Sequence, residues 1–320
     1  MAAQEVLPGI AAPPGRELAI SVDTLVSGVH FPRDTAPADI GYKVLAVNLS
    51  DMAAMGAAPD WAVMSLTLPR RDEDWLSAFD RGFDALAEQY RVRLLARDIG
   101  IGPLAITLQI HGWVPACLAL RRDGARPGDL VFVTGSLGDA GLGLSLLPEP
   151  GKWGAEVSGA HRAFVLDRLN RPTPRVAEGI ALRGIATAAI DVSDGLAADL
   201  GHIVTASRRR MGENADLHAR IDVEKLPLSP ALHRLSGQDA ARRFALSSGD
   251  DYELCFTAPQ RRYESLLRIA SGFSCPITCL GRMERGPGES LVRFSGSGSD
   301  SDLELTNMPS LTDQGYRHFK

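Results

Sequence analysis

Residues 18–26 read LAISVDTLV and residues 37–55 read PADIGYKVLAVNLSDMAAM. The first run is β-branched and aliphatic and predicts a strand. The second is entered after a proline and closed by Gly56, which predicts a helix. The strand ends in Asp23 and the helix carries Asp51, so the first two elements each deliver a carboxylate. Working outward, residues 61–68 predict a second strand. Residues 74–90 predict a helix whose Leu76, Phe79, Phe83, Leu86 and Tyr90 recur at three- and four-residue steps and mark one buried face. Strands follow at 92–95 and 104–114, the latter alternating Leu104, Ile106, Leu108 and Ile110.

The polar stretch RRDGARPGD at 121–129 interrupts this pattern and predicts a boundary. The expected division is an N-terminal domain over 1–119 and a C-terminal domain over 120–320. Beyond the boundary, strands are predicted at 130–134, 188–192, 219–223, 252–257 and 277–281. Helices are predicted after a Gly-rich turn and at 161–169, 175–182 and 195–207, with a looser region at 148–159. Strands and helices mix throughout, so the class is α/β (α+β): an N-terminal mixed sheet with helices, then a C-terminal α/β sandwich domain.

Against 34 Lys+Arg stand 39 Asp+Glu, a net charge of −5, which argues against a broad electrostatic hold on nucleic acid or membrane surface. No apolar run approaches the ~20 residues that span a bilayer and no secretory pattern opens the chain, so a cytoplasmic location is expected. Cys117, Cys255, Cys275 and Cys279 make no disulfide framework. The P-loop and protein-kinase motifs are missing, and Gly135, Gly138, Gly141 and Gly143 lack dinucleotide spacing. The seven histidines show no metal-ligand spacing.

What stands out is a set of aspartates at the ends of regular elements: Asp23, Asp51, Asp98, the group Asp191, Ser193 and Asp194, and the pair Asp250 and Asp251. Carboxylate oxygens are the hard donors that Mg²⁺ prefers. Asp51 lies near a helix C-terminus, where the macrodipole disfavours a negative charge by about 0.3–1 kcal/mol. Either a cation compensates it or it is solvated on the outer face. Ser193 or Asp194 equally suits an N-cap for the next helix, and Asp250 with Asp251 equally suits a solvated loop.

Four separated motifs, ISVDTLVSGVHF from Ile20, NLSDMAAMG from Asn48, IDVSDGL from Ile190 and SGDDYELCF from Ser248, resemble the thiamine-monophosphate kinase family in the same order. The likeness runs from about residue 16 to the C-terminal GYRHF. It implies the two-domain architecture shared with aminoimidazole ribonucleotide synthetase, and a homodimer formed through the N-terminal domain. The implied reaction is ATP-dependent, Mg²⁺-requiring phosphorylation of thiamine monophosphate to thiamine diphosphate, with a phosphate oxygen as acceptor and no catalytic base. By position, the resemblance implies Mg²⁺ ligation by Asp23, Asp51, Asp98, Asp191 and Asp194, with Ser21 at the same cluster. Arg97, Asp98, Arg122 and Ser193 are implied to meet ATP, and His30, Asp250 and Tyr316 to face thiamine phosphate.

The chain departs from the family in three places. Relatives begin earlier, with a helix and a Gly-Asp-Asp turn that supplies another magnesium ligand, whereas Met1-Ala2-Ala3 lies about where that turn is expected. The family's Gly-Gly-Asp-Thr turn reads Ala96-Arg97-Asp98-Ile99 here, leaving Arg97 either to bind phosphate or to neutralise Asp98. Val22 stands where relatives carry threonine, which removes a hydroxyl near the metals, and all three departures fall around ATP and magnesium. The resemblance therefore also admits an impaired, binding-only homologue, or a superfamily member acting on another small phosphorylated metabolite.

Overall fold

The aliphatic run that opens the fold forms β1 (Arg16–Val26). Its side chains alternate: Ala19 and Leu25 are buried, while Leu18, Ile20 and Val22 on the opposite face are 47 %, 50 % and 58 % exposed. The structure is a computed structural model that describes residues 10–147, 159–212, 216–286 and 291–296. The next element, α1 (Pro37–Ala54), has a proline in its first turn and ends before Gly56, whose φ of 62° reverses the chain. Because α1 is apolar almost all round, with Val44, Leu45, Leu49 and Met52 fully buried, it runs through the core.

β2 (Ala58–Leu68), α2 (Glu73–Tyr90), β3 (Arg93–Ile101) and β4 (Ala105–Pro115) complete the first half. The sheet order is β1-β4-β2-β3, antiparallel except for the parallel β2/β3 pair. α1 and α2 pack so closely that a Cβ at Gly82 would stand 1.8 Å from the Ala38 carbonyl oxygen, a contact only glycine permits. Asp72 caps α2 by accepting from Trp75 N–H at 3.0 Å.

One expectation needs correcting. Residues 96–99, read as a turn, are the middle of β3, with Met64 paired to Arg97 and Ser65 to Asp98. The predicted strand at 92–95 is thus the start of a longer edge strand, because parallel pairing to β2 continues through Ile101.

The second half comprises β5 (Asp129–Thr134), α3 (Asp139–Ser145), α4 (Gly159–Asn170), α5 (Val176–Ala181), β6 (Ala188–Asp191), α6 (Leu196–Met211), β7 (Leu217–Asp222), α7 (Pro230–Ser236), α8 (Gln238–Ser247), β8 (Leu254–Pro259), α9 (Tyr263–Ala270), β9 (Ile277–Arg285) and β10 (Val292–Ser295). The six strands are ordered β10-β7-β9-β5-β8-β6. Each sheet thus draws on its own half of the sequence, and the mixed α/β class is as expected. One apolar cluster joins α1 and the first sheet to Phe132, Leu254, Phe256 and Leu266, while Leu196, Leu200, Ile203 and Val204 of α6 fill a second one. α1 therefore lies between the halves, and its polar residues face where the two meet.

Candidate functional site

Asp23 is on the helix-facing side of β1, Asp51 in the last turn of α1 and Asp191 at the end of β6. The fold brings these three together. Ser21, two residues before Asp23 and on the same face, donates its hydroxyl to Asp51 Oδ2. Ser50 donates to Asp191 Oδ2 at 2.8 Å. Burial, then the charge of Asp51, pushes Asp23 up from 3.8 to about 7. Burial and the same neighbour push Asp191 up to about 7. Asp51 is also raised by burial, against the opposing pull of the Ser21 hydroxyl and the Arg122 guanidinium. Arg122 is thus the compensating cation that the helix terminus called for. Among the described residues no lysine or arginine forms an ion pair with Asp23, Asp51 or Asp191. Three hard oxygen donors that all line one cavity and are under-neutralised suit divalent cations such as Mg²⁺.

The turn after Asp191 leads into α6, and here the expected cap is corrected. Gly195, at φ 111°, occupies the N-cap with no side-chain bond of its own. Instead Asp199, one turn inside the helix, accepts from the backbone N–H groups of Ser193, Asp194 and Gly195 at 3.0, 3.0 and 3.1 Å. Neither Ser193 nor Asp194 is used as the cap. Sequence reasoning missed Asp199, whose signal was a carboxylate four residues past the glycine, close enough to reach back over the helix start.

The Ser248–Tyr252 loop lies against this turn. Asp250 N–H donates to Ser193 O and Tyr252 N–H to Val192 O, both at 2.9 Å. Gly249 has φ 70°, and a Cβ there would stand 2.2 Å from Ser193 O, so the close lacing requires glycine. The adjacent acids then diverge. Asp251 is buried, accepts from Gly138 N–H at 2.8 Å and is pushed well up by burial. Asp250 Oδ2 instead takes Lys43 Nζ at 3.1 Å, and its Oδ1 takes the Tyr252 hydroxyl at 2.9 Å.

Two cavities flank the aspartates. The first, about 710 Å³, is lined by Asp23, His30, Lys43, Asp191, Asp194 and Asp250, with Ser193, Leu144 and Leu169 among the remaining wall residues. His30 Nδ1 accepts from Val26 N–H at 3.0 Å, so the neutral ring carries its proton on Nε2. The second, about 760 Å³, is lined by Ser21, Arg121, Arg122, Arg209 and Arg210. Asp51 and Asp191 line both, so the carboxylates form the divide between an acidic chamber and a basic one. Lys43, Tyr252, Arg209 and Arg210 went unread in the sequence.

The structure does not bring Arg97 and Asp98 to this divide. Asp98 shares a cross-strand row with Ser65, Thr107 and Thr24, which faces away from α1, and it lies on the opposite sheet edge from β1. Arg97 points the other way and pairs with Asp80 on α2, neither of its two expected roles. Tyr316 lies outside the described residues.

Known proteins match this chain over most of its length. The family model for the N-terminal domain of AIR synthase related proteins matches residues 6–114. The thiamine-monophosphate kinase of Salmonella typhimurium is 49 % identical over 271 residues, 85 % of this chain and 80 % of that protein. The crystal structure of the thiamine-monophosphate kinase from Stenotrophomonas maltophilia K279a superposes with a TM-score of 0.82 at 42 % identity, covering 92 % of both chains. AaThiL complexed with AMPPCP and TMP superposes with a TM-score of 0.78 at 30 % identity, covering 97 % of this chain and 89 % of that one.

Proposed function

The chain belongs to the thiamine-monophosphate kinase family, and from that premise we propose that it transfers the γ-phosphoryl group of ATP to the phosphate of thiamine monophosphate, giving thiamine diphosphate and ADP. One observation carries this reading: Asp51 and Asp191 line both cavities, so ligands entering from either side meet at the same carboxylates. The AaThiL complex, with AMPPCP and TMP bound together, supports it. The binding-only alternative draws no support from the curated relatives, which are thiamine-monophosphate kinases.

ATP occupies the arginine-lined chamber, where Arg122 meets its phosphates, and thiamine monophosphate the chamber of His30 and Asp250. Ser193, expected at ATP, lines the substrate side next to Asp191. Mg²⁺ held by Asp23, Asp51, Asp191 and Asp194, with Ser21 at the same cluster, would neutralise the phosphoryl oxygens as negative charge builds on them. Ser21 and Ser50 keep the Asp51 and Asp191 carboxylates aimed. The acceptor oxygen is already anionic near neutral pH, so no side chain has to remove a proton. A new P–O bond forms to it as the β,γ-bridging bond breaks, and the electron pair leaves with ADP.

The outward face of the first sheet presents Leu18, Ile20 and Val22 and carries Asp98. A homodimer formed through that face buries those apolar side chains and offers Asp98 to a second copy, which accounts for its distance from the cluster. We propose the domain boundary at 119/120, between the segments that supply the two sheets. We take the location to be cytoplasmic, in keeping with described helices of which none is long and apolar enough to cross a membrane. The test is direct: pure protein with ATP, Mg²⁺ and thiamine monophosphate yields thiamine diphosphate and ADP in equal amounts. No product above a no-enzyme control overturns the kinase reading, and a monomeric mass by light scattering overturns the dimer.

A further inference from the structure

Lys43 is a lysine in the core. Its side chain is 4 % exposed, and its Nζ lies 3.1 Å from Asp250 Oδ2, 207 residues away in sequence. A buried ammonium needs a countercharge, and Asp250, whose side chain is 28 % exposed, supplies it. Lys43, Val47 and Asp51 follow one another at four-residue steps along α1 and all line the first cavity. They mark a stripe of one helix along the cavity wall, with Asp51 at the carboxylate divide and Lys43 two turns before it. Among the described residues lining that cavity, Lys43 is the single lysine or arginine, set against Asp23, Asp51, Asp191, Asp194 and Asp250. Asp250 itself is held at φ 60°, a left-handed conformation that costs a non-glycine residue about 1 kcal/mol and has to be secured from outside.

We propose that Lys43 is the positioning residue for the vitamin substrate: it pins Asp250 from across the two halves, so that the Asp250 carboxylate recognises the amino-heteroaromatic end of the phosphorylated ligand. The inference rests on the kinase reading of this cavity and deepens it. Lys43 takes Oδ2 and Tyr252 takes Oδ1, and each oxygen keeps a second lone pair for a substrate N–H. With the carboxylate's charge matched by the ammonium, this end of the cavity selects by hydrogen-bond geometry rather than by net charge. The hydrogen-bond partners of the Asp250 carboxylate are Lys43 and Tyr252 and not Asp23, Asp51 or Asp191, so the effect falls on substrate affinity more than on the phosphoryl-transfer step or ATP.

The experiment is steady-state kinetics on Lys43→Met, Asp250→Asn and the double variant, with thiamine monophosphate and ATP varied separately. Lys43→Met raises KM for thiamine monophosphate about tenfold, with kcat within about threefold and KM for ATP unchanged. The double variant is no worse than the poorer single one, because both changes break one tether. Lys43→Gln is read in the same way where methionine prevents folding. An unchanged KM for thiamine monophosphate, an equal rise for both substrates, or additive losses in the double variant overturns the proposal while the wild-type activity stands. A wild type that neither binds thiamine monophosphate by calorimetry nor turns it over refutes the kinase reading, and this proposal with it.

Discussion

Two groups of buried acids lie within the second half and its junction with α1, and they are neutralised in opposite ways. Glu253 has no exposed surface and accepts from Arg175 at 2.6 Å on each oxygen, from Arg168 at 3.0 Å and from the Thr134 hydroxyl at 2.7 Å. Asp23, Asp51 and Asp191 share their space with serine hydroxyls, with one another and with the more distant charge of Arg122. Glu253 therefore locks β5, α4, α5 and β8 together as a closed ion network. The aspartates are left with raised pKa values, by burial first and, for Asp23 and Asp191, by the charge of Asp51, with Arg122 offsetting only part of it at Asp51. The charge a fold leaves uncompensated marks where it acts, and the charge it fully pairs marks where it is held.

The contrast is sharpest in the sign of a neutralising substitution. Glu253→Gln leaves Arg168 and Arg175 buried without their partner, and unfolding experiments should show a loss of about 3–5 kcal/mol. Asp51→Asn removes one of three repelling carboxylates, so the metal-free protein should melt higher than wild type. Its turnover should still fall about a hundredfold or more, a loss of ~3 kcal/mol in transition-state stabilisation. Equal signs for the two stability changes would break the comparison. The smallest effect is on pH dependence. Asp23 and Asp191 hold protons in the folded state up to about 7, whereas the unfolded chain releases them near 3.8. The metal-free protein should therefore lose stability as pH rises from about 4 to 7 and stay at the lower level above. Scanning calorimetry should show Mg²⁺ raising Tm by ~5 °C at pH 8 and by less at pH 6, where both carboxyls still carry protons. A magnesium effect that shrinks with rising pH would sink that assignment.

How far the sequence could be read follows the range of each interaction. Strands and helices carried by local periodicity, such as α2 with Leu76, Phe79, Phe83 and Leu86, were legible with ends close to those found. Asp23, Asp51, Asp191 and Asp250 were singled out because each sits in a short motif, although Asp23 lies inside β1, which runs on to Val26, and not at its end. Lys43 was not, since its partner lies 207 residues on and only the docking of α1 against the second half joins them. Asp98 was assigned from its motif, yet which sheet face and edge it occupies depends on the order β1-β4-β2-β3, and strand order leaves no local trace. Asp199 was overlooked in favour of Ser193 and Asp194 because side chains ahead of a helix are the usual caps, whereas here the cap reaches back from inside. The helices α7, α8 and α9 and the four-residue β10 were also missed.

The stripe on α1 makes the helix a ruler. Lys43 and Asp51 are eight residues apart, so the helical rise fixes roughly 12 Å between these two positions on the wall of the first cavity. That distance is a property of the backbone and does not vary with side-chain rotamers. A single residue inserted between them would swing one end around by about 100° and carry it off the wall. The spacing of the cavity's cation and its carboxylate is therefore written into the pitch of one buried helix.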